Sequence, residues 1–484
     1  MKQSIASDAV KLTSSKIITL LVSMITAMLL SRILTLKEYG TYSQIMLIIN
    51  ITTTIFVLGL PNSINYFLAP MENPKEKTRF LSTYYTFSTI LSFLAGLVLV
   101  ISTPLLVRYF DNALINNFIY ILAVFPWARI ILSSIENILI VYKKTTYIMI
   151  FRILNSILLL LIILMVEIFN WGFGTYMNLF IIVESSFAIS VYILVKNIAG
   201  HIKVYFDKRL IRTILSFSLP IGLASVVGTL KTELDKLVIA GFYNTESLAI
   251  FTNAAREMPV TIIASSITAV LMPLMVKMLK KNKKIEAINL WGDATLLSYL
   301  VICFLATGFF VYAPEVMSLL YSEKYISGVP VFRIYALVLL FRCTYFGMVL
   351  NSTGKTKLIL YCSVFALFLD FILNFLFYYM FGFIGPALST LVTTLASAMY
   401  LLWATSQSIK IPFKKIFPWR NILYITLINI LFGLAFAVIK QVIPWEVRIG
   451  EILESVVLGL IWGILYFSVY YRFLKTKWDM LNNY

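Results

Sequence analysis

The stretch Thr229–Pro259, TLKTELDKLVIAGFYNTESLAIFTNAAREMP, decides the fold because it is charged where its surroundings are apolar. Lys231, Glu233, Asp235 and Lys236 fall within one helical segment, and Arg256 and Glu257 follow after a short turn. Ionisable groups at that density cost free energy in hydrocarbon unless they are paired or face water. The whole chain is 60% hydrophobic and 13% charged, with a mean hydropathy of +0.90. Such usage lies outside that of soluble domains and leaves no stretch polar enough for a separate one. The reading is a polytopic membrane protein with a water-filled path that bears both signs of charge. Its apolar runs have helix length and not the ten-residue alternation of an outer-membrane barrel. Cys303, Cys343 and Cys362 sit in apolar runs without paired spacing, so neither a disulfide framework nor a metal site is expected. His201, in a basic loop, reads as a solvated surface residue. No cleavage site precedes the first long apolar run, so an uncleaved first span is expected.

Outward from the charged stretch, apolar runs of about 20 residues between charged or turn-rich breaks predict about fourteen all-α spans. Among them are 212–243, 246–278, 329–351, 357–381 and 384–408, with 420–440 and 451–472 at the end. If the N-terminus and every second loop face the cytoplasm, 27 basic residues lie on that side and 6 on the other. The positive-inside rule then puts both ends in the cytoplasm. The same asymmetry accounts for the net charge of +18 without nucleic acid, and implies attraction to anionic membrane lipid.

An internal repeat follows. Lys143–Asn155 resembles Gly354–Ala366, and GFGTYMNLF from Gly172 resembles FIGPALSTL from Phe383, both at an offset of 211. LKEYGTYSQ from Leu36 resembles TESLAIFTN from Thr245 at an offset of 209. The three agreeing offsets predict a duplicated six-helix lobe: 1–208, 209–409, and two further helices in 410–484. An even number of spans per repeat places the axis along the membrane normal, with binding near the midplane between halves. The offset also sets depth. At an offset of about 208, Lys231–Lys236 correspond to Ser23–Met28, the middle of the apolar first span, so the charge cluster belongs inside the membrane.

On a helix, Lys231 and Asp235 are i,i+4 and pair on one face. Pro220, Gly222 and Gly228 offer bend points in the same helix. One reading of the cluster is a structural ion pair that fixes packing. The other is functional: a carboxylate exchanges a proton or cation while lysines attract an anion, and four ionisable groups in six residues favour it. Anion-site candidates are Arg32, Lys231, Lys236, Arg256, Arg129 and Arg342, the arginines because a planar guanidinium binds phosphate bidentately and stays charged. Ion-coupling candidates are Glu233, Asp235, Glu257, Glu136, Asp293 and Asp370. Arg129 and Glu136 are i,i+7, nearly on one face. Arg152, Arg333 and Glu184 read as helix-end or interfacial residues. The sequence contains no GxxxxGK[ST] loop for nucleotide hydrolysis and no HExxH, CxxC or GxSxG context. No external loop exceeds about fifteen residues, too few for a catalytic domain. A secondary transporter remains, and no enzyme is expected.

LLSRILTLKEYGTYSQ (Leu29–Gln44), GLPNSINYFLAP (Gly59–Pro70) and TELDKLVIAGFYNTESLAIFTNAAR (Thr232–Arg256) carry a family resemblance. LNSTGKTK (Leu350–Lys357) and GFIGPALSTLV (Gly382–Val392) extend it. With these motifs in order across both halves, the chain resembles the polysaccharide-transporter (Wzx-type oligosaccharide flippase) family of the multidrug/oligosaccharidyl-lipid/polysaccharide exporter superfamily. The resemblance implies two six-helix lobes around a central cavity and two C-terminal helices, in a bacterial cytoplasmic membrane. It implies alternating-access movement of an undecaprenyl-pyrophosphate-linked oligosaccharide for capsule, exopolysaccharide or O-antigen. It further implies H+ or Na+ coupling in place of any bound cofactor, and polysaccharide polymerase and assembly proteins as partners. In related lipid II flippases a cationic cavity holds the pyrophosphate, and by position Arg32, Lys231 and Arg256 would serve here. They do not match that subfamily's motif residue by residue, which disfavours lipid II as substrate. A drug/cation antiporter of the same superfamily and a polytopic glycan polymerase or ligase are the competing readings. The antiporter predicts an acidic cavity, and the polymerase a large external loop.

Overall fold

The computed structural model describes residues 5–200, 202–256, 258–442 and 451–482, and among them no strand occurs. His201 and Glu257 lie outside the described residues. The chain divides into two units, 1–249 and 250–484.

The N-terminal unit contains α1 (Ile5–Ile33), α2 (Leu36–Val57), α3 (Pro74–Phe110), α4 (Ile119–Leu132), α5 (Thr145–Ile168), α6 (Phe173–Ala199) and α7 (Lys208–Phe242). Local chemistry sets their ends. Thr35 and Glu38 form a reciprocal capping box at the start of α2, the Glu38 amide reaching Thr35 Oγ1 at 3.2 Å and the Thr35 amide reaching Glu38 Oε2 at 2.9 Å. Asn73 caps α3 with Pro74 at its first position, where a missing N–H costs nothing. Asp207 caps α7 by accepting the amides of Arg209 and Leu210.

α2 stops at Leu58 and Gly59, both with positive φ, and there the chain meets α7. A Cβ on Gly59 would lie 2.5 Å from the Ser218 carbonyl oxygen, and one on Gly222 would lie 2.4 Å from the Leu58 carbonyl carbon. Two missing side chains therefore let α7 seat directly on the end of α2. By its packing α7, expected at the head of the second lobe, falls in the N-terminal unit.

α8 (Thr245–Ala254) leads into the C-terminal unit, which continues with α9 (Thr261–Lys280), α10 (Lys284–Val311), α11 (Val329–Leu340), α12 (Thr356–Phe381), α13 (Gly385–Ile409), α14 (Trp419–Val442) and α15 (Glu451–Asn482). Its core gathers Leu271, Met275, Ile288, Met348 and Phe417 around fully buried Trp291, whose indole N–H donates to Thr344 at 2.9 Å. α14 and α15 pack on α10. Lys477 of α15 pairs with Asp293 of α10, and Lys440 of α14 pairs with Glu315 in the short helix Ala313–Tyr321 that follows α10.

Twelve segments among the described residues are long and apolar enough to cross a membrane, against about fourteen expected. The difference lies in two places. Residues 356–409 form one apolar segment containing α12 and α13, folded back at the 3-10 turn Gly382–Ile384. The span expected at 329–351 is not one helix: α11 ends at Leu340, a turn occupies 341–347, and a short helix Met348–Ser352 follows. The run expected at 246–278 is also broken, into α8 and α9, at Pro259. A proline supplies no N–H and disfavours helical geometry in the residue before it.

Candidate functional site

The N-terminal unit encloses a cavity of about 560 Å³ between membrane-length helices, within the size range of small-molecule sites. Its wall carries Arg129, Glu136, Arg152 and Glu184, the amides of Asn50, Asn62 and Asn155, and the hydroxyls of Thr53, Thr54, Ser133 and Ser225. Two arginines face two glutamates, so the lining is balanced in charge.

The polar groups form chains. On α2, Asn50 donates its amide N–H to Glu233 Oε1 of α7 at 2.7 Å, while its carbonyl oxygen accepts from Arg129 of α4 at 3.3 Å. The other oxygen of Glu233 pairs with Lys236 at 2.7 Å. A relay therefore runs from the cavity guanidinium through one amide to the charged turn of α7. Arg129 also lies over the Phe125 ring, 5.8 Å from its centroid. Of the two lining arginines, Arg152 pairs with Glu136 and Arg129 makes no ion pair among the described residues. Asn155 donates to Glu184 at 3.2 Å, and Glu184 is buried. Each hydrogen bond to a charged group contributes about 1.5–3 kcal/mol when desolvated.

On α7, Glu233 and Lys236 form an i,i+3 pair. Asp235 is buried and accepts the Lys236 backbone amide at 2.8 Å, and Lys231 is half-buried one turn earlier. Arg32 is exposed at the end of α1 and is not among the residues that line the cavity.

The C-terminal unit holds the remaining candidates. Arg256 and Arg342 line one crevice with Phe309 and Tyr335, but its volume of about 10 Å³ admits little more than a water. Asp293 is taken up by Lys477, 2.6 Å away. Arg333 donates to the Phe310 carbonyl and lies over that ring.

Asp370 is fully buried and lies in a set of oxygens. Its Oδ1 accepts from Ser389 Oγ at 2.7 Å and Thr393 Oγ1 at 3.1 Å. Asn374 donates to the Asp370 carbonyl and to Ser389, but its own Oδ1 is buried without a hydrogen-bond partner. An orphaned amide oxygen beside a carboxylate and two hydroxyls is a set of hard donors suited to a proton or a small cation. Among the described residues no group of three or more His, Cys, Asp or Glu is placed to hold a metal ion.

Sequence reasoning singles out Arg129, Glu136 and Asp370, reads Arg152 and Glu184 as helix-end or interfacial residues, and misses Asn50, Asn155, Asn374, Ser389 and Thr393. The available signal is i,i+4 spacing: Asp370 and Asn374 on α12, and Ser389 and Thr393 on α13, each fall on one helix face.

Comparison with known proteins agrees with this architecture. Residues 29–330 match the family described as polysaccharide biosynthesis protein. The uncharacterized membrane protein MJ1068 of Methanocaldococcus jannaschii is 23% identical over 407 residues, 79% of this chain and 77% of that one. The capsular polysaccharide biosynthesis protein CapF of Staphylococcus aureus is 24% identical over 199 residues, 40% of this chain and 50% of that one. A structure of the lipid II flippase MurJ in an inward closed conformation superposes with a TM-score of 0.76 at 18% identity, covering 97% of this chain and 100% of that one. An inward-facing multidrug resistance MATE family transporter of the MOP superfamily gives 0.65 at 15% identity, covering 81% and 95%. These likenesses identify the fold as that of MurJ and MATE transporters, which are transporters and flippases and not enzymes.

Proposed function

Because the chain belongs to the polysaccharide biosynthesis protein family, we propose that it is a flippase that carries an undecaprenyl-pyrophosphate-linked oligosaccharide across the bacterial cytoplasmic membrane. The observation that carries this reading is the balanced, amide-lined cavity of the N-terminal unit. Sugar hydroxyls both donate and accept, and a wall of amides, hydroxyls and paired charges meets both needs. A drug/cation antiporter would call for an acidic cavity, whereas two arginines line this one.

Arg129 captures a pyrophosphate oxygen, being the lining guanidinium without an ion pair among the described residues. Leaving Asn50 for phosphate weakens the hold of that amide on Glu233, and so connects substrate to α7. Protonation of Glu233 then breaks its pair with Lys236 and frees a second cation for the anionic lipid. The Asp370 oxygen set supplies a separate site for H+ or Na+. A bound ion shifts the inward–outward equilibrium only through differential affinity for the two states, and a few kcal/mol suffices. CapF, capsular by its name, supports a capsule-type repeat unit as cargo. Polymerase and assembly proteins would take up the product outside.

The test is leaflet translocation of a fluorescent undecaprenyl-pyrophosphate oligosaccharide in proteoliposomes, with and without proton or sodium gradients. Flipping is expected in the wild type, at least tenfold slower in Arg129→Ala, and insensitive to the gradient in Asp370→Asn. Retention of the lipid in its leaflet together with extrusion of a cationic dye would establish the antiporter instead.

A further inference from the structure

The segment between α6 and α7 is an extended strap, 202–207, fixed along α3. The Lys203 and Tyr205 amides donate to Ser82 Oγ and Thr86 Oγ1 at 3.2 and 3.1 Å. Arg79 pairs with Asp207 at 2.5 Å and lies over the Tyr205 ring. Held this way, the strap presents Val204 at 92% exposure, with Tyr205 and Phe206 exposed beside it.

Its depth follows from helix rise. Tyr109, near the far end of α3, donates to the Leu237 carbonyl near the far end of α7, which sets the two helices level there. At 1.5 Å per residue, Ser82 lies about 40 Å from Tyr109, and Lys208 lies about 43 Å from Leu237. A bilayer is about 40–45 Å thick including headgroups. The strap and the start of α7 thus lie in the headgroup layer on the side of the basic loops, where apolar and aromatic side chains are at home.

From there a trough of about 550 Å³ runs down one face of α7, lined by Phe206, Ile211, Leu215, Leu219 and Pro220, with Lys208 and Arg212 at its headgroup end. The two cations are one turn apart, and no carboxylate lines the trough. The neighbouring Asp207 is already held by Arg79. The opposite face of α7 is committed, with Phe217 stacked on Tyr66. From Lys208 to Pro220 the trough is about 18 Å long, about the depth of one leaflet's hydrocarbon.

We propose that this trough is a binding site for an anionic phospholipid of that leaflet. The phosphate lies between Lys208 and Arg212, and one acyl chain lies along Ile211, Leu215 and Leu219. Two exposed cations above an apolar face match a net-negative head on a hydrocarbon tail, whereas a zwitterionic lipid brings its own cation against them.

Native mass spectrometry of the full-length protein, titrated in detergent with phosphatidylglycerol or phosphatidylcholine, reads this directly and independently of transport. The wild type is expected to retain one phosphatidylglycerol more than Lys208→Gln/Arg212→Gln, with phosphatidylcholine retention equal in both. Leu219→Trp keeps both cations and fills the channel, and is expected to weaken phosphatidylglycerol binding about tenfold. Equal phosphatidylglycerol retention by the wild type and both variants would overturn the site. Displacement of that lipid from the wild type by equimolar undecaprenyl pyrophosphate would also overturn it, by making the trough a substrate site.

Discussion

Glu233 and Lys236 are each less than a quarter exposed, at 13% and 24%, and each therefore depends on the other. Removing one member of a partly buried pair strands the other charge, whereas removing both strands none. Lys236→Met is expected to cost about 1–3 kcal/mol, reduced from the fully buried value by the remaining exposure. Glu233→Gln/Lys236→Met should recover most of that loss, because a glutamine oxygen still accepts from Asn50. Thermal unfolding in detergent compares the two, and a double variant no more stable than the single one would refute the coupling. The ionisable half of this network is legible in the sequence, since a charge in an apolar run announces itself. The amide half is not. Asn50 stands in an apolar helix like many asparagines, and nothing near it in the chain says that its two ends will meet Glu233 and Arg129 from two other helices.

Helix α7 is held by small features that sequence reasoning sees and assigns differently. Gly222, a bend point by its type, is where α7 meets the end of α2, and a Cβ there would lie 2.4 Å from backbone. Gly228, six residues on, has nothing within 4 Å of its would-be Cβ. Gly222→Val should therefore abolish folded protein, as judged by monodisperse elution in detergent. Gly228→Ala should leave it intact and stabilise it by about 0.5–1 kcal/mol through helix propensity. If both variants elute like the wild type, the close approach of α2 and α7 is not required. The cap of α7 carries a pH dependence. The amide of Leu210, with Arg79 next in effect, holds the Asp207 carboxyl below the usual carboxylate range. A depressed folded value means that the cap and strap are fully supported at neutral pH and lose that support as pH falls below about 4. Limited proteolysis of the strap should rise there in the wild type, and an Asp207→Asn protein should lack that step.

At the scale of the whole molecule, hydropathy alone makes the membrane class legible, and the two places where span counting departs from the structure have a common cause. Windows of composition do not register a 3-10 turn such as Gly382–Ile384, which is as apolar as the helices it joins, or the irregular residues 341–347, whose one charge, Arg342, is averaged out by the apolar residues on either side. Charge asymmetry is a different kind of signal, since it reports sidedness and not helix ends. It predicts that the strap at 202–207 faces the cytoplasm and that the 3-10 segment Glu323–Gly328 faces outward. All three native cysteines are buried, so a cysteine introduced at an exposed position reports with little background. Tyr205→Cys and Lys324→Cys, each in intact cells, should divide cleanly. A membrane-impermeant maleimide should label Lys324→Cys at once and Tyr205→Cys only after permeabilisation. The reverse pattern would invert the molecule, placing Lys208, Arg212 and the strap in the outer leaflet. A flippase oriented that way would present its basic surface to the leaflet in which the glycan lipid is consumed and not the one in which it is made.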